Sequence, residues 1–143
     1  MAGAALVALA ACSKGGTGPL ADYQPILAAQ LAKWSGTRPT NYAFDFKLTG
    51  FFVSYANRTI HVTVKADTVN AATTSDGGPA LAVPLTTFPT IDQLFTQLLA
   101  SARAGTLTAV EFDPTDGHPT AYAISGAADV SGAGFITGLV SVP

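Results

Sequence analysis

Residues 88–125, FPTIDQLFTQLLASARAGTLTAVEFDPTDGHPTAYAIS, carry two hydrophobic periods back to back, and that switch limits the folds open to the chain. Ile91, Leu94, Phe95, Leu98, Leu99 and Ala102 recur at the i, i+3, i+4 spacing that lines one face of a helix. Thr90 stands where an N-cap belongs, and Gln93 falls at the third helical position, so the pair predicts a capping box. Arg103 suits the negative end of the helix dipole, and Gly105 suits the left-handed residue that closes a helix. Directly afterwards, residues 107–112 and 120–125 alternate around the breaker-rich loop 113–119, with Val110, Phe112, Tyr122 and Ile124 expected inward. An oily helix face joined to a half-buried hairpin requires a sheet to cover.

The upstream sequence supplies the remaining parts. A first helix is predicted over residues 23–35, with Pro25 tolerated in its first turn, Leu27, Leu31 and Trp34 on one face, and Gly36 ending it. Residues 41–49 then alternate, with Tyr42, Phe44, Phe46 and Leu48 on one side and Ala43, Asp45 and Lys47 on the other. Further strands are predicted at 59–65, with Ile60, Val62 and Val64 inward, and at 69–73 after a turn at Ala66, Asp67 and Thr68. Residues 74–79, TSDGGP, read as an exposed loop, and Pro84 makes residues 80–85 an edge strand or extended chain. A last strand covers residues 135–142, after a mobile-looking segment 126–134. The expected class is α+β: an antiparallel sheet packed by two helices, in the order helix, two to three strands, helix, three strands. That order is open to reading as a diverged tandem of one helix plus three strands.

Composition narrows the partners. Only 11% of the 143 residues are charged, the net charge is −2, and no Lys/Arg cluster occurs, so nucleic acid is not an expected partner. No run reaches the roughly 18 apolar residues of a membrane span. Residues 1–11, MAGAALVALAA, form a short apolar run of the length of a signal-peptide core. They end at Leu9-Ala10-Ala11-Cys12, a tetrapeptide resembling the bacterial lipobox, whose cysteine is lipidated. No lysine or arginine precedes Cys12, as a translation start further upstream would explain. Cys12 is the sole cysteine, which excludes an internal disulfide. The chain thus divides into a signal segment at 1–12, a flexible tether at 13–21 and one domain at 22–143. Roughly 120 residues are enough to bury about two thirds of the unfolded surface. A membrane lipid contact through acylated Cys12 and a place on the outer side of a bacterial membrane follow. Ser13 is the kind of second residue that permits onward sorting to an outer membrane.

The lipobox, the helix ending in Trp34, Asn41-Tyr42-Ala43-Phe44, Val62-Thr63-Val64, Thr90-Ile91-Asp92-Gln93-Leu94-Phe95 and Phe112-Asp113 before Gly117-His118-Pro119-Thr120 come in a telling order. Together they resemble the bacterial lipoprotein family catalogued as domain of unknown function 6174. The resemblance spans nearly all of the chain after Cys12 and implies an envelope location and a small α+β fold, with no function assigned. Members commonly carry a Cys-x-Cys pair after the first strand; here the region reads Thr49-Gly50-Phe51-Phe52, so no role for such thiols transfers. Where members have a tyrosine before the proline of the second hairpin, this chain has His118.

Two groupings offer chemistry. His118 lies near Asp113 and Asp116, a set able to hold a metal or act as acid and base, although Asp-Pro-x-Asp-Gly is also ordinary turn chemistry. The alternate-residue acidic spacing of an EF-hand is missing. Phe51, Phe52 and Tyr55 form the second grouping: adjacent aromatics on a strand face opposite ways, so with one in the core the other is either covered by the neighbouring helix and the 74–79 loop or exposed as a contact patch for a ligand or partner. His61 sits on the polar side of its strand as a solvated imidazole. No Gly-x-Ser-x-Gly elbow or phosphate-cradling Gly-rich loop occurs, and Glu111 is the only glutamate. The leading expectation is a non-enzymatic binding or interaction module of the envelope, without a cofactor. Its alternatives are a metal-dependent hydrolase centred on residues 113–118 and a purely structural envelope spacer.

Overall fold

A computed structural model of the chain describes residues 22–51, 53–126 and 131–143. Its elements are helix α1 (Gln24–Thr37), strands β1 (Asn41–Thr49), β2 (Thr59–Lys65) and β3 (Thr68–Thr74), a short 3-10 turn (Leu85–Thr87), helix α2 (Ile91–Arg103), and strands β4 (Leu107–Phe112), β5 (Pro119–Ser125) and β6 (Ser131–Ser141). The α+β class and the helix–strands–helix–strands order expected from the periodicity are both present. All six strands join one antiparallel sheet in the order β3-β2-β1-β6-β5-β4. Each half is a meander after a helix, yet β1 borders β6 and not β4, so the repeated element order brings no symmetric pairing of the halves.

Helix α2 begins as its sequence requires. The Thr90 hydroxyl accepts from the Gln93 N–H at 3.2 Å, and the Gln93 side chain accepts from the Thr90 N–H at 2.9 Å. Ile91, Leu94, Phe95 and Leu98 are buried, Leu99 and Ala102 partly so, all packed with Tyr42, Phe44 and Phe46 of β1 and Ile60, Val62 and Val64 of β2 in one core. The second cap donor is tertiary: the Ile91 N–H donates to the Tyr42 hydroxyl at 3.1 Å. A buried strand residue thereby satisfies an orphan helix amide.

Helix α1 runs two residues beyond its expected end. The Arg38 N–H reaches the Trp34 carbonyl at 2.7 Å and the Thr37 hydroxyl donates to the Lys33 carbonyl at 3.0 Å, so Gly36 is carried inside the last turn. Pro39 then disfavours helical dihedrals at Arg38, which is extended. Arg38 bridges Asp67 at 2.6 Å and Asp92 at 2.8 Å, and Trp34 Nε1–H donates to Asp92 at 3.4 Å. One arginine thus ties α1 to the start of α2 and to the β2–β3 turn. That turn places Ala66 and Asp67 at φ of 46° and 62°, a conformation costly for non-glycine residues. The Asn41 side chain accepts from the Ala66 N–H, and Arg38 holds Asp67, so tertiary bonds offset the strain.

Two expectations are corrected, and one choice between alternatives is decided. Of the two readings of residues 80–85, the edge strand does not form: Pro84 lacks a donor, and Leu81 and Val83 rest on the core from a segment without strand pairing. Part of the mobile-looking stretch, Ser131 to Gly134, is strand, paired with β1 on one side and β5 on the other; residues 127–130 lie outside the described residues. Its glycines have a purpose: a Cβ on Gly132 would stand 2.3 Å from the Phe51 ring, and one on Gly134 would stand 2.2 Å from the Tyr122 ring. Two aromatic rings lie across a strand that has no side chains to obstruct them. Lastly, Phe51 and residues 53–57, read as aromatics on a strand, form bends and a turn beyond the end of β1 at Thr49; Phe52 lies outside the described residues.

Burial pushes the phenols of Tyr42 and Tyr122 up to about 12. The folded state therefore holds these protons more tightly than the unfolded chain, and that advantage is complete below the ordinary phenol value near 10. Stability measured in urea is expected to fall as pH rises from about 10 through about 12, by on the order of 2–3 kcal/mol for each phenol. Tyr122→Phe is expected to remove its share of the alkaline loss while leaving the loss due to Tyr42.

Candidate functional site

The loop between β4 and β5 is built by backbone capping. Asp113 accepts from the Thr115 N–H at 2.7 Å and the Asp116 N–H at 3.3 Å, which starts the turn that Pro114 favours. Gly117 closes it at φ 82°, its N–H on the Asp113 carbonyl at 3.0 Å. Asp116 Oδ1 then accepts from both the backbone N–H of His118 at 2.9 Å and ring Nδ1 at 2.5 Å. The ligating atoms of Asp113, Asp116 and His118 all lie within 4.8 Å of one another, so the sequence-predicted trio does converge.

What surrounds the trio decides what it does. His118 is 6% exposed, its ring edge-on to Trp34 with centroids 6.1 Å apart. A Cβ at Gly117 would meet the Gln30 carbonyl oxygen at 2.9 Å, so the turn lies directly against α1. Lys33 donates to the Pro114 carbonyl, and the Tyr23 hydroxyl donates to the Thr108 carbonyl at 2.8 Å. The loop is a clasp that holds α1 through its backbone, with the imidazole as filler between carboxylate and indole. His118 lies in the loop expected for it and is buried there, because Gly117 lets the turn close onto the helix. A metal bound through His118 Nδ1 would have to displace Asp116 from that nitrogen. The amides of Thr115 and Asp116, with His118 nearby, hold the Asp113 carboxyl below its ordinary value, as fits a capping group.

The aromatic grouping is dispersed. Tyr55 is 8% exposed, its ring against Phe88 with centroids 5.2 Å apart, so it serves the core and is withdrawn from any contact patch. Phe51 is half-buried over Gly132. Phe52 and Cys12 lie outside the described residues. The rule that neighbouring strand residues alternate does not apply here, since Gly50 at φ 79° turns the chain away from the sheet. A Cβ there would stand 2.5 Å from the Ser131 carbonyl oxygen. His61 is exposed on its strand as expected, paired with Asp45 across the ladder at 2.8 Å.

A feature that the sequence reading missed lies on the sheet face opposite the helices. There β4, β5 and β6 present Ala109, Ala121, Ala123 and Ala133 around an open hollow of about 190 Å³ beside Phe135, which is 40% exposed. The signal was present as alternate alanines in three strands, but alanine barely registers in a hydrophobic period.

Together the sheet, its two helices on one face and a hairpin clasp define a small α+β protein, and among the described residues its one metal-capable cluster is part of a turn. The chain belongs to a family of unknown function, DUF6174, whose model matches residues 26–139. No curated protein and no solved structure matches the chain. Among the described residues no helix is long and apolar enough to cross a membrane.

Asp113→Ala is expected to cost about 1–2 kcal/mol at neutral pH by uncapping the turn. A carboxyl with a lowered folded value stabilises above its unfolded value and loses that contribution as pH falls through the folded one. The gap between wild type and variant in urea melts should therefore close in strong acid.

Proposed function

We propose that the protein is a non-enzymatic binding module, held at the outer side of a bacterial membrane through an acylated Cys12. The observation that carries the binding half is the bare sheet face. Helices α1 and α2 serve one side of the sheet, whereas the other keeps an alanine-floored hollow and an exposed phenylalanine. Exposed aromatics beside a shallow apolar floor are a recurring form of contact surface. Support for the address comes from Leu9-Ala10-Ala11-Cys12 behind an apolar run. Acyl chains would add about 0.8 kcal/mol of membrane affinity per buried methylene.

The convergence of Asp113, Asp116 and His118 favours a second reading, a metal-dependent hydrolase centred on that loop. Stoichiometric zinc or a comparable ion in elemental analysis of the purified protein, lost in His118→Ala, would support it over the binding module. In cells, Cys12→Ser is expected to shift the protein from the membrane pellet to the soluble fraction. Mass spectrometry of the mature N-terminal peptide should find acyl chains on Cys12; a free thiol there would overturn the address. The binding half predicts that Phe135→Ser abolishes the principal cross-linked product formed in intact envelopes.

A further inference from the structure

The strand register arranges the bare face into rows. Lys47, Phe135, Ala121 and Glu111 stand side by side across β1, β6, β5 and β4, and Thr49, Ala133, Ala123 and Ala109 form the adjacent row. With strands about 4.8 Å apart, the first row is about 14 Å long and carries a positive charge at one end and a negative charge at the other. Neither Lys47 nor Glu111 forms an ion pair among the described residues. Glu111 is exposed and Lys47 partly so.

Such a row is complementary to its own reverse. A two-fold axis parallel to the strands, midway between β5 and β6 and just above the face, turns the row end for end. Lys47 then stands over Glu111 of the second copy, and Phe135 over Ala121 of the second copy. The hollow bordered by Ala121, Ala123 and Ala133 lies where the incoming ring arrives. In the adjacent row Ala133 meets Ala123 and Thr49 meets Ala109 of the second copy, so no bulky side chain in that row holds the sheets apart. Face-to-face sheets of this kind pack with their strands nearly aligned, as an axis along the strands demands.

We propose that the bare sheet face docks a second copy of this chain, two-fold related, with Lys47 paired to Glu111 and Phe135 seated in the alanine hollow. The proposal rests on the reading of this face as the binding surface and names its occupant. Charge complementarity selects the second copy over an unrelated partner: an isologous contact uses every pair twice, and here both charges and both rings find partners. The patch is small against the roughly 1,600 Å² of a standard interface, so association in free solution is weak. Copies confined to one membrane surface would meet at a much higher effective concentration.

Sedimentation equilibrium of the full chain carrying Cys12→Ser, from about 5 to about 500 µM, tests this. The expected result is a monomer–dimer equilibrium. Lys47→Glu and Glu111→Lys should each raise the dissociation constant about tenfold or more, because each sets like charges together twice, and Phe135→Ser should do the same. The double variant Lys47→Glu/Glu111→Lys should return it to near the starting value, an outcome that a merely destabilised fold does not produce. Thermal melts of the surface variants should match the parent. A monomer throughout the range, a dimer indifferent to the charge changes, or a double variant that is not rescued would overturn the proposal. If a photo-cross-linker at Phe135 in cells then captures a different protein, the face remains a binding surface with another occupant. If it captures nothing, the binding reading falls as well.

Discussion

The ladder between β1 and β6 is the contact on which the remaining architecture depends. It joins two meanders, β1-β2-β3 and β4-β5-β6, that would otherwise be separate three-stranded sheets with exposed edges. Its register fixes the faces: Phe46 opposite Ile136 lies in the core, while Lys47 opposite Phe135 lies on the bare side. The register shifts between Ala43 and Asp45, opposite Gly138 at φ 62°, so that Leu139 packs on the core and Val140 points away from it. A slip of one residue would exchange the two faces.

Against that sheet, the helices are positioned by polar groups as well as by oil. Tyr42, Trp34, Arg38, Asp92 and Asp67 form a connected set that caps α2, ends α1 and holds a strained hairpin turn. The clasp at residues 113–118 also holds α1, through Gly117, Lys33 and the buried His118. Both groups look like chemistry when seen as a bare composition of Asp, Arg, His and Tyr. Their hydrogen bonds are directed at backbone and at one another, which is how a small domain orients two helices of modest apolar content. The proposed binding role therefore rests on the uncovered sheet and not on these polar clusters.

Legibility in the sequence followed the range of the interactions. Helix α2, its capping box and the inward rows of β1 and β2 were readable because caps and alternation act over one to four residues. The end of α1 was misread because Gly36 is a local breaker overruled by Thr37 and Arg38. Tyr55 was assigned to a strand because nothing local announces that Gly50 must avoid the Ser131 carbonyl. The Asp113, Asp116 and His118 grouping was legible as a cluster, but its burial against Trp34 was not, since those residues are brought together from opposite ends of the chain.

By itself, the sequence determined both helices, most of the strands and which side of each is oily, for these are properties of neighbours along the chain. Only the tertiary structure decided that β6 sits beside β1, that the histidine loop clasps a helix, and that four alanines and a phenylalanine gather on an open face. Those outcomes depend on strands far apart in the chain choosing one another, and a pairing choice leaves no mark in the local spacing of residues.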